Sequence, residues 1–392
     1  MVRDDPGVTH ADLGDERGYL PTPFQELLLR AALLDGEPAL SAWETWKQGV
    51  DIDRVAMPSA GLLPLLYKNL LENGLADPLM EDLKKRYTIT WYNNQVAFRR
   101  MAGILARFRD AGIETILLKG AAMTLAYYKD HGVRPMGDID VLVKPECVAA
   151  ATEILLGDGF KTSSPLSSTA TRYMHAAHFV DEKAFALDLH WRLLWEFSEP
   201  GADAEFWSSA EDSTLGVVTT KVLKPTDQLF HACVHGARWN SAPVRWVADT
   251  MTIIAKAGPE IDFQRLVATA KAHRLQLPIR HTLGYLHSTW SAAIRQDTLE
   301  TLDKMAISRL DRFLYHNLTE NRASLVMGNL PMHLLHFLRM TRRIGFRRRM
   351  LELPHFLAFV WSLNRVREVP VSILAKTLRR ITKLFVSSRP SR

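Results

Sequence analysis

The stretch 116–143, ILLKGAAMTLAYYKDHGVRPMGDIDVLV, decides the reading of this chain. It opens on an apolar run, Ile116-Leu117-Leu118, which predicts a first strand and stops at Lys119-Gly120. Residues 121–130, AAMTLAYYKD, combine good helix formers with apolar positions near 3.6-residue spacing and predict a helix. A turn-prone segment with Asp130, Gly132, Pro135 and Gly137 then leads into GDIDVLV. There Asp138 and Asp140 alternate with Ile139 and Val141, so a strand projects both carboxylates from one face. Two such carboxylates, beside a glycine turn at a helix start, suit a divalent cation carrying a nucleoside triphosphate. Hard oxygens bind Mg²⁺, and exposed backbone N–H groups donate to phosphate.

Working outward, residues 173–195, YMHAAHFVDEKAFALDLHWRLLW, read as two strands around a turn at Asp181-Glu182-Lys183. In the second, Phe185, Leu187, Leu189 and Trp191 alternate with Ala184, Ala186, Asp188, His190 and Arg192. Asp188 is therefore the candidate third carboxylate. His190 shares its face and is placed to orient it, to touch an acceptor, or equally to make a structural hydrogen bond; His178, on the neighbouring strand, is a weaker candidate. Residues 161–172, KTSSPLSSTATR, are the best internal loop candidate.

These motifs resemble the nucleotidyltransferase superfamily of polymerase-β-like fold, and more narrowly the bacterial uncharacterised nucleotidyltransferase family with its LKG…R…DIDLLV signature. The resemblance covers roughly residues 95–250. It implies an α/β (α+β) fold with a small mixed sheet flanked by N- and C-terminal helical regions. It also implies metal-dependent transfer of a nucleoside monophosphate from an NTP to an acceptor, with release of pyrophosphate. The cofactor implied is Mg²⁺, with Mn²⁺ as the alternative. Asp138, Asp140 and Asp188 take the metal and catalytic roles, and Asp188 also helps to deprotonate the acceptor. Gly120 allows the backbone close to the phosphates. Arg134 contacts phosphate or braces its loop, and His190 completes the binding set. Relatives commonly carry Gly-Gly or Gly-Ser where this chain has Lys119-Gly120-Ala121, which makes Lys119 a replacement phosphate contact. The family occurs beside biosynthetic genes for exopolysaccharides and modified peptides, lasso peptides among them, so a peptide or small-molecule acceptor is the first expectation. A toxin-like transfer onto tRNA is the alternative within the same chemistry. A non-catalytic nucleotide sensor, or a membrane- or partner-binding module, is the alternative of another class.

The rest of the chain frames that core. Residues 1–20 read as an acidic flexible leader, 21–100 as an N-terminal helical region and 101–222 as the nucleotidyltransferase core. Residues 223–330 read as a second helical domain and 331–392 as a basic helical tail. Trp43 and Trp46 are expected in the core. His231 and His235, four apart on one helix face, lack a third ligand at zinc spacing, and packing or nucleotide contact is the preferred reading. Arg245 and Asp249, also four apart, read as a helix-surface ion pair, while the family resemblance implies a place near the cleft for both. Residues 342–392 hold thirteen Lys/Arg against Glu352 and Glu368, a charge of +11 that leaves −5 on residues 1–341 of the overall +6. In that tail Val371, Leu374, Leu378, Ile381 and Phe385 line one face of a basic amphipathic helix, which suits RNA, an anionic membrane surface or an acidic partner. The two cysteines, Cys147 and Cys233, form no metal motif, and no apolar run reaches the roughly 20 residues of a spanning helix. A cytoplasmic protein, peripherally membrane-associated at most, is the expectation.

Overall fold

The computed structural model describes residues 18–373, apart from 163–165, 167, 198, 239–242, 321–333, 335–336, 342–343, 362 and 364. Its centre is a seven-stranded mixed sheet. The strands are β1 (Ile116–Leu117), β2 (Ile139–Leu142), β3 (Lys161–Thr162), β4 (Ala176–Val180), β5 (Ala186–His190), β6 (Glu211–Leu215) and β7 (Val218–Val222). They lie in the order β3-β4-β5-β2-β1-β7-β6. β2 pairs in parallel with β5, and β1 with β7; the remaining neighbours are antiparallel. The hairpin expected around Asp181–Lys183 is present, with β4 and β5 as its arms.

The period-2 alternation seen in the sequence sorts the two faces. Ile139, Val141, Leu187 and Leu189 are buried on one face. They pack with Phe98, Met101, Leu105 and Phe108 of α4 (Met80–Asp110) and with Val148, Ala151 and Leu155 of α6 (Val148–Gly157). Asp140 and Asp188 alternate with them, and so point to the opposite face.

That second face meets the helical layer. It begins with α1 (Pro23–Leu33), α2 (Glu37–Lys47) and α3 (Leu63–Glu72). α1 starts at a reciprocal capping box between Thr22 and Gln25, with Pro23 at its first position. Across the core lie α9 (Pro225–Gly236), α10 (Pro243–Ala257), α11 (Phe263–Ala272), α12 (Gln276–Trp290) and α13 (Gln296–Lys304). One continuous apolar cluster joins the two groups, with Trp43 and Trp46 fully buried as expected. Tyr19 and Leu20, which the sequence assigns to the leader, are buried in it as well; residues 1–17 lie outside the described part.

Two local expectations are corrected. The helix anticipated from Ala121 begins two residues earlier, as α5 (Lys119–Met123), and continues as a π-turn over Thr124–Tyr128. The extra residue closes on a bond from Lys129 N–H to the Thr124 carbonyl, 2.9 Å. The anticipated loop 161–172 carries β3 and a short helix, α7 (Ser168–Tyr173), against which Phe356 of the late helix Phe346–Val360 packs. The basic amphipathic helix expected from Val371 lies outside the described residues from 374 onward. No helix among the described residues is long and apolar enough to cross a membrane.

Candidate active site

Register builds the site. Asp140 on β2 is the Cα partner of Asp188 on β5, which in turn is the partner of His178 on β4. Directly paired residues share a face, so the three side chains form a row across three strands. His190 lies two residues along β5 from Asp188 on that same face. One donor atom each from Asp140, Asp188 and His190 lies within 4.8 Å of the others. Two carboxylates with an imidazole beside them offer the hard oxygen set a small divalent cation takes, so the residues fit such an ion.

The clustered trio contains His190 where the sequence reading put Asp138. Asp138 stands one residue before β2, solvent-accessible, and lines the same cleft as Asp140. Its enclosure by the cleft walls, with the negative charges of Asp140 and Asp188, pushes its carboxyl above the ordinary range. Asp140 is shifted the other way. It is 3% exposed, and burial alone would raise it. The Lys119 charge and the hydrogen bonds from His190 and Lys119 outweigh burial and hold the carboxyl well below its usual value.

Both of those partners meet a single oxygen. Lys119 Nζ lies 2.5 Å and His190 Nε2 3.0 Å from Asp140 Oδ1. His190 thus makes a structural hydrogen bond, one of the roles expected of it, to Asp140. The histidine rated weaker, His178, stands against Asp188, its Nδ1 2.7 Å from Asp188 Oδ1. Lys119 holds φ of 44°, a left-handed conformation unfavourable for a residue with a Cβ. The backbone bond from Leu118 N–H to the Asp140 carbonyl, 3.0 Å, fixes the start of α5 beside β2.

The loop between α5 and β2 is tied down on both sides. From α4, Asn94 Nδ2 donates to the carbonyls of His131 and Arg134, and the Tyr87 hydroxyl donates to Asp130. From α10, Asp249 accepts from Arg134 through Nε at 2.9 Å and Nη2 at 2.8 Å, and from the Tyr128 hydroxyl at 3.0 Å. This overturns the surface ion pair expected between Arg245 and Asp249. Asp249 belongs to Arg134, whose role here is to brace the loop, and Arg245 Nη1 donates to the Pro135 carbonyl at 3.1 Å. Gly120 has a packing reason as well: a Cβ there would lie 2.5 Å from Arg134 Nη1 and 2.8 Å from Met136 Cγ.

Lys119, Gly120, Arg134, Asp138, Asp140 and Asp249 line a cleft of about 300 Å³ between the sheet and the helical layer. Its far wall is α9 and α10, which contribute Gln228, His231, His235, Arg245 and Trp246. Burial, reinforced by the nearby Lys119 charge, lowers His231 to about 3 and His235 well below its usual value, so both are neutral imidazoles.

Residues 54–291, more than half of the chain and spanning this entire site, match the sequence profile of a family described as an uncharacterised nucleotidyltransferase. The chain belongs to that family. No curated protein matches it. The cleft carries Asp138 and Asp140, together with Lys119 and Arg134, on the sheet side and Arg245 on the helical side. Sequence reasoning missed the contributions of Gln228 and Trp246 to this cleft; Arg245 lines it, as the family resemblance implies. The i, i+3, i+7 spacing of Gln228, His231 and His235 on α9 was the available signal.

Proposed function

We propose that this nucleotidyltransferase moves a nucleoside monophosphate from an NTP to an acceptor hydroxyl and releases pyrophosphate. The observation that carries the reading is the in-register pair Asp140–Asp188, of which Asp140 lines the cleft beside Asp138. Asp140, Asp188 and Asp138 would hold the divalent cation, Mg²⁺ or Mn²⁺. When bound, the cation neutralises charge on the phosphates and stabilises the attacking and leaving oxygens. The acceptor oxygen forms a bond to the α-phosphorus as the bond to the β-phosphate oxygen breaks. Asp188, backed by His178, takes the acceptor proton. Lys119 balances Asp140 in the ion-free protein and turns to the triphosphate when that charge is otherwise met. Arg134 holds the loop that delivers Asp138. Exclusion of water by the α9–α10 wall protects the transfer from hydrolysis.

For the acceptor, a cleft of this volume favours a small molecule or a peptide side chain. The test supplies each of four α-labelled NTPs with Mg²⁺ and a cell extract, with the double variant Asp138→Ala/Asp140→Ala as control. Label moving onto one extract component, and lost in the variant, is the expected result. Label on tRNA would instead select the tRNA reading. Tight nucleotide binding without transfer would overturn transfer in favour of a nucleotide sensor.

A further inference from the structure

Three basic side chains line the cleft: Lys119, Arg134 and Arg245. Two are already neutralised. Lys119 is paired with Asp140, and Arg134 is held by both oxygens of Asp249. Arg245 alone enters no ion pair among the described residues; its one hydrogen bond goes to the Pro135 carbonyl. Asp249, one turn along α10, is taken up by Arg134 and Tyr128. The guanidinium is wedged between the sheet-side loop and the turn at Gly61, where a Cβ would lie 3.0 Å from Nη2. Burial lowers its pKa, and the Arg134 charge adds to that. The Asp249 and Asp138 charges offset this in part, but a partly buried guanidinium outside any direct ion pair still carries a desolvation cost. The guanidinium is held in place by these contacts and lines the cleft.

Resting on the transferase reading, we propose that Arg245 is the polyphosphate receptor of the cleft, the group that takes the β- and γ-phosphates and holds the departing pyrophosphate. The planar fork matches phosphate oxygens, and its rigid seat means little entropy is lost on binding. The sheet side then serves the cation and the α-phosphate, while α10 serves the leaving group. The bond to the Pro135 carbonyl links this event to the active loop, since Pro135 stands three residues before Asp138.

The experiment measures thermal stability and binding of inorganic tripolyphosphate, pyrophosphate and acetate for wild type, Arg245→Met and Arg245→Lys. The wild type binds tripolyphosphate more tightly than pyrophosphate, and acetate negligibly. Arg245→Met loses roughly tenfold to a hundredfold in tripolyphosphate affinity. Arg245→Lys keeps part of it. Without ligand, Arg245→Met is at least as stable as wild type, because an unpaired charge has been removed. A less stable ligand-free Arg245→Met would make the guanidinium a structural brace and overturn the proposal. Unchanged tripolyphosphate affinity in Arg245→Met would overturn it too, leaving the transferase reading intact. Equal binding of acetate would reduce the site to a generic anion contact. A wild type that binds no polyphosphate at all would overturn both readings.

Discussion

Asp140 has one oxygen committed to two partners, Lys119 and His190. A cation arriving at this carboxylate competes with an ammonium already in place. Lys119→Met should therefore bind Mn²⁺ more tightly in the absence of nucleotide, while losing affinity for the triphosphate; calorimetric titration of both ligands separates the two effects. The left-handed backbone at Lys119 agrees, since a non-glycine residue there costs about 1–2 kcal/mol. A second buried acid lies outside the cleft. Burial pushes the Asp203 carboxyl up to about 7, against the opposing bond from Leu193 N–H and the Arg192 charge. Its folded pKa lies above the unfolded one, so the folded state binds more protons between about pH 4 and 7 and stability falls as pH rises through that window. Asp203→Asn keeps an acceptor for Leu193 N–H. It should flatten this slope and raise the melting temperature above pH 7, which denaturation across a pH series would measure.

Between elements, the informative contact is Arg134 with Asp249. It joins the loop before β2 to α10 and is buried on both sides. Breaking it from one side strands a buried charge. Arg134→Met or Asp249→Asn should each cost about 3–5 kcal/mol, and the double variant clearly less than their sum. A double-mutant cycle by urea unfolding reads this coupling; additive losses would mean that the two residues do not act as a pair. The α9–α10 wall depends on Gly236 in a comparable way, because a Cβ there would lie 2.5 Å from the Trp246 ring. Gly236→Ala should cost roughly 1–3 kcal/mol and weaken nucleotide binding by moving Arg245 along with Trp246. What the sequence revealed at this scale follows one rule. Asp138-Ile139-Asp140 and the 176–190 hairpin were readable because alternation and turn chemistry are local. Arg134 and Asp249 stand 115 residues apart, and no local pattern marks which of two nearby arginines the aspartate meets. A spacing of four on α10 favoured Arg245, but tertiary burial brought Arg134. Which carboxylate His178 and His190 each meet was hidden for a similar reason, since strand register is invisible in one strand alone.

Across the whole molecule, the helical regions before and after the sheet share one interior. The Trp246 indole N–H donates to the Tyr19 carbonyl at 2.7 Å, Arg30 Nη2 to the Thr289 carbonyl at 3.1 Å, and the Tyr285 hydroxyl to Glu26 at 2.9 Å. Leu28, Leu29, Trp43 and Trp46 belong to the same cluster as Val244, Trp246, Leu283 and Leu286. The sequence suggested regions at 21–100 and 223–330 because each shows helical periodicity by itself; periodicity identifies an apolar stripe without saying what covers it. A shared core has a functional consequence, since α10 carries both Arg245 and the Asp249 brace while α1 packs against it. The N-terminal helices thus set the position of the cleft wall from outside the site. A fragment beginning at residue 79 should bare the apolar faces of α10 and α12, bind a hydrophobic dye, and lack both cooperative unfolding and nucleotide binding. In the intact chain, tryptophan fluorescence, to which Trp43 and Trp46 contribute, and far-ultraviolet dichroism should melt in one coincident transition. Two separated transitions, with the fragment folding and binding nucleotide alone, would instead make residues 18–78 an independent domain and confine the cleft to the remainder of the chain.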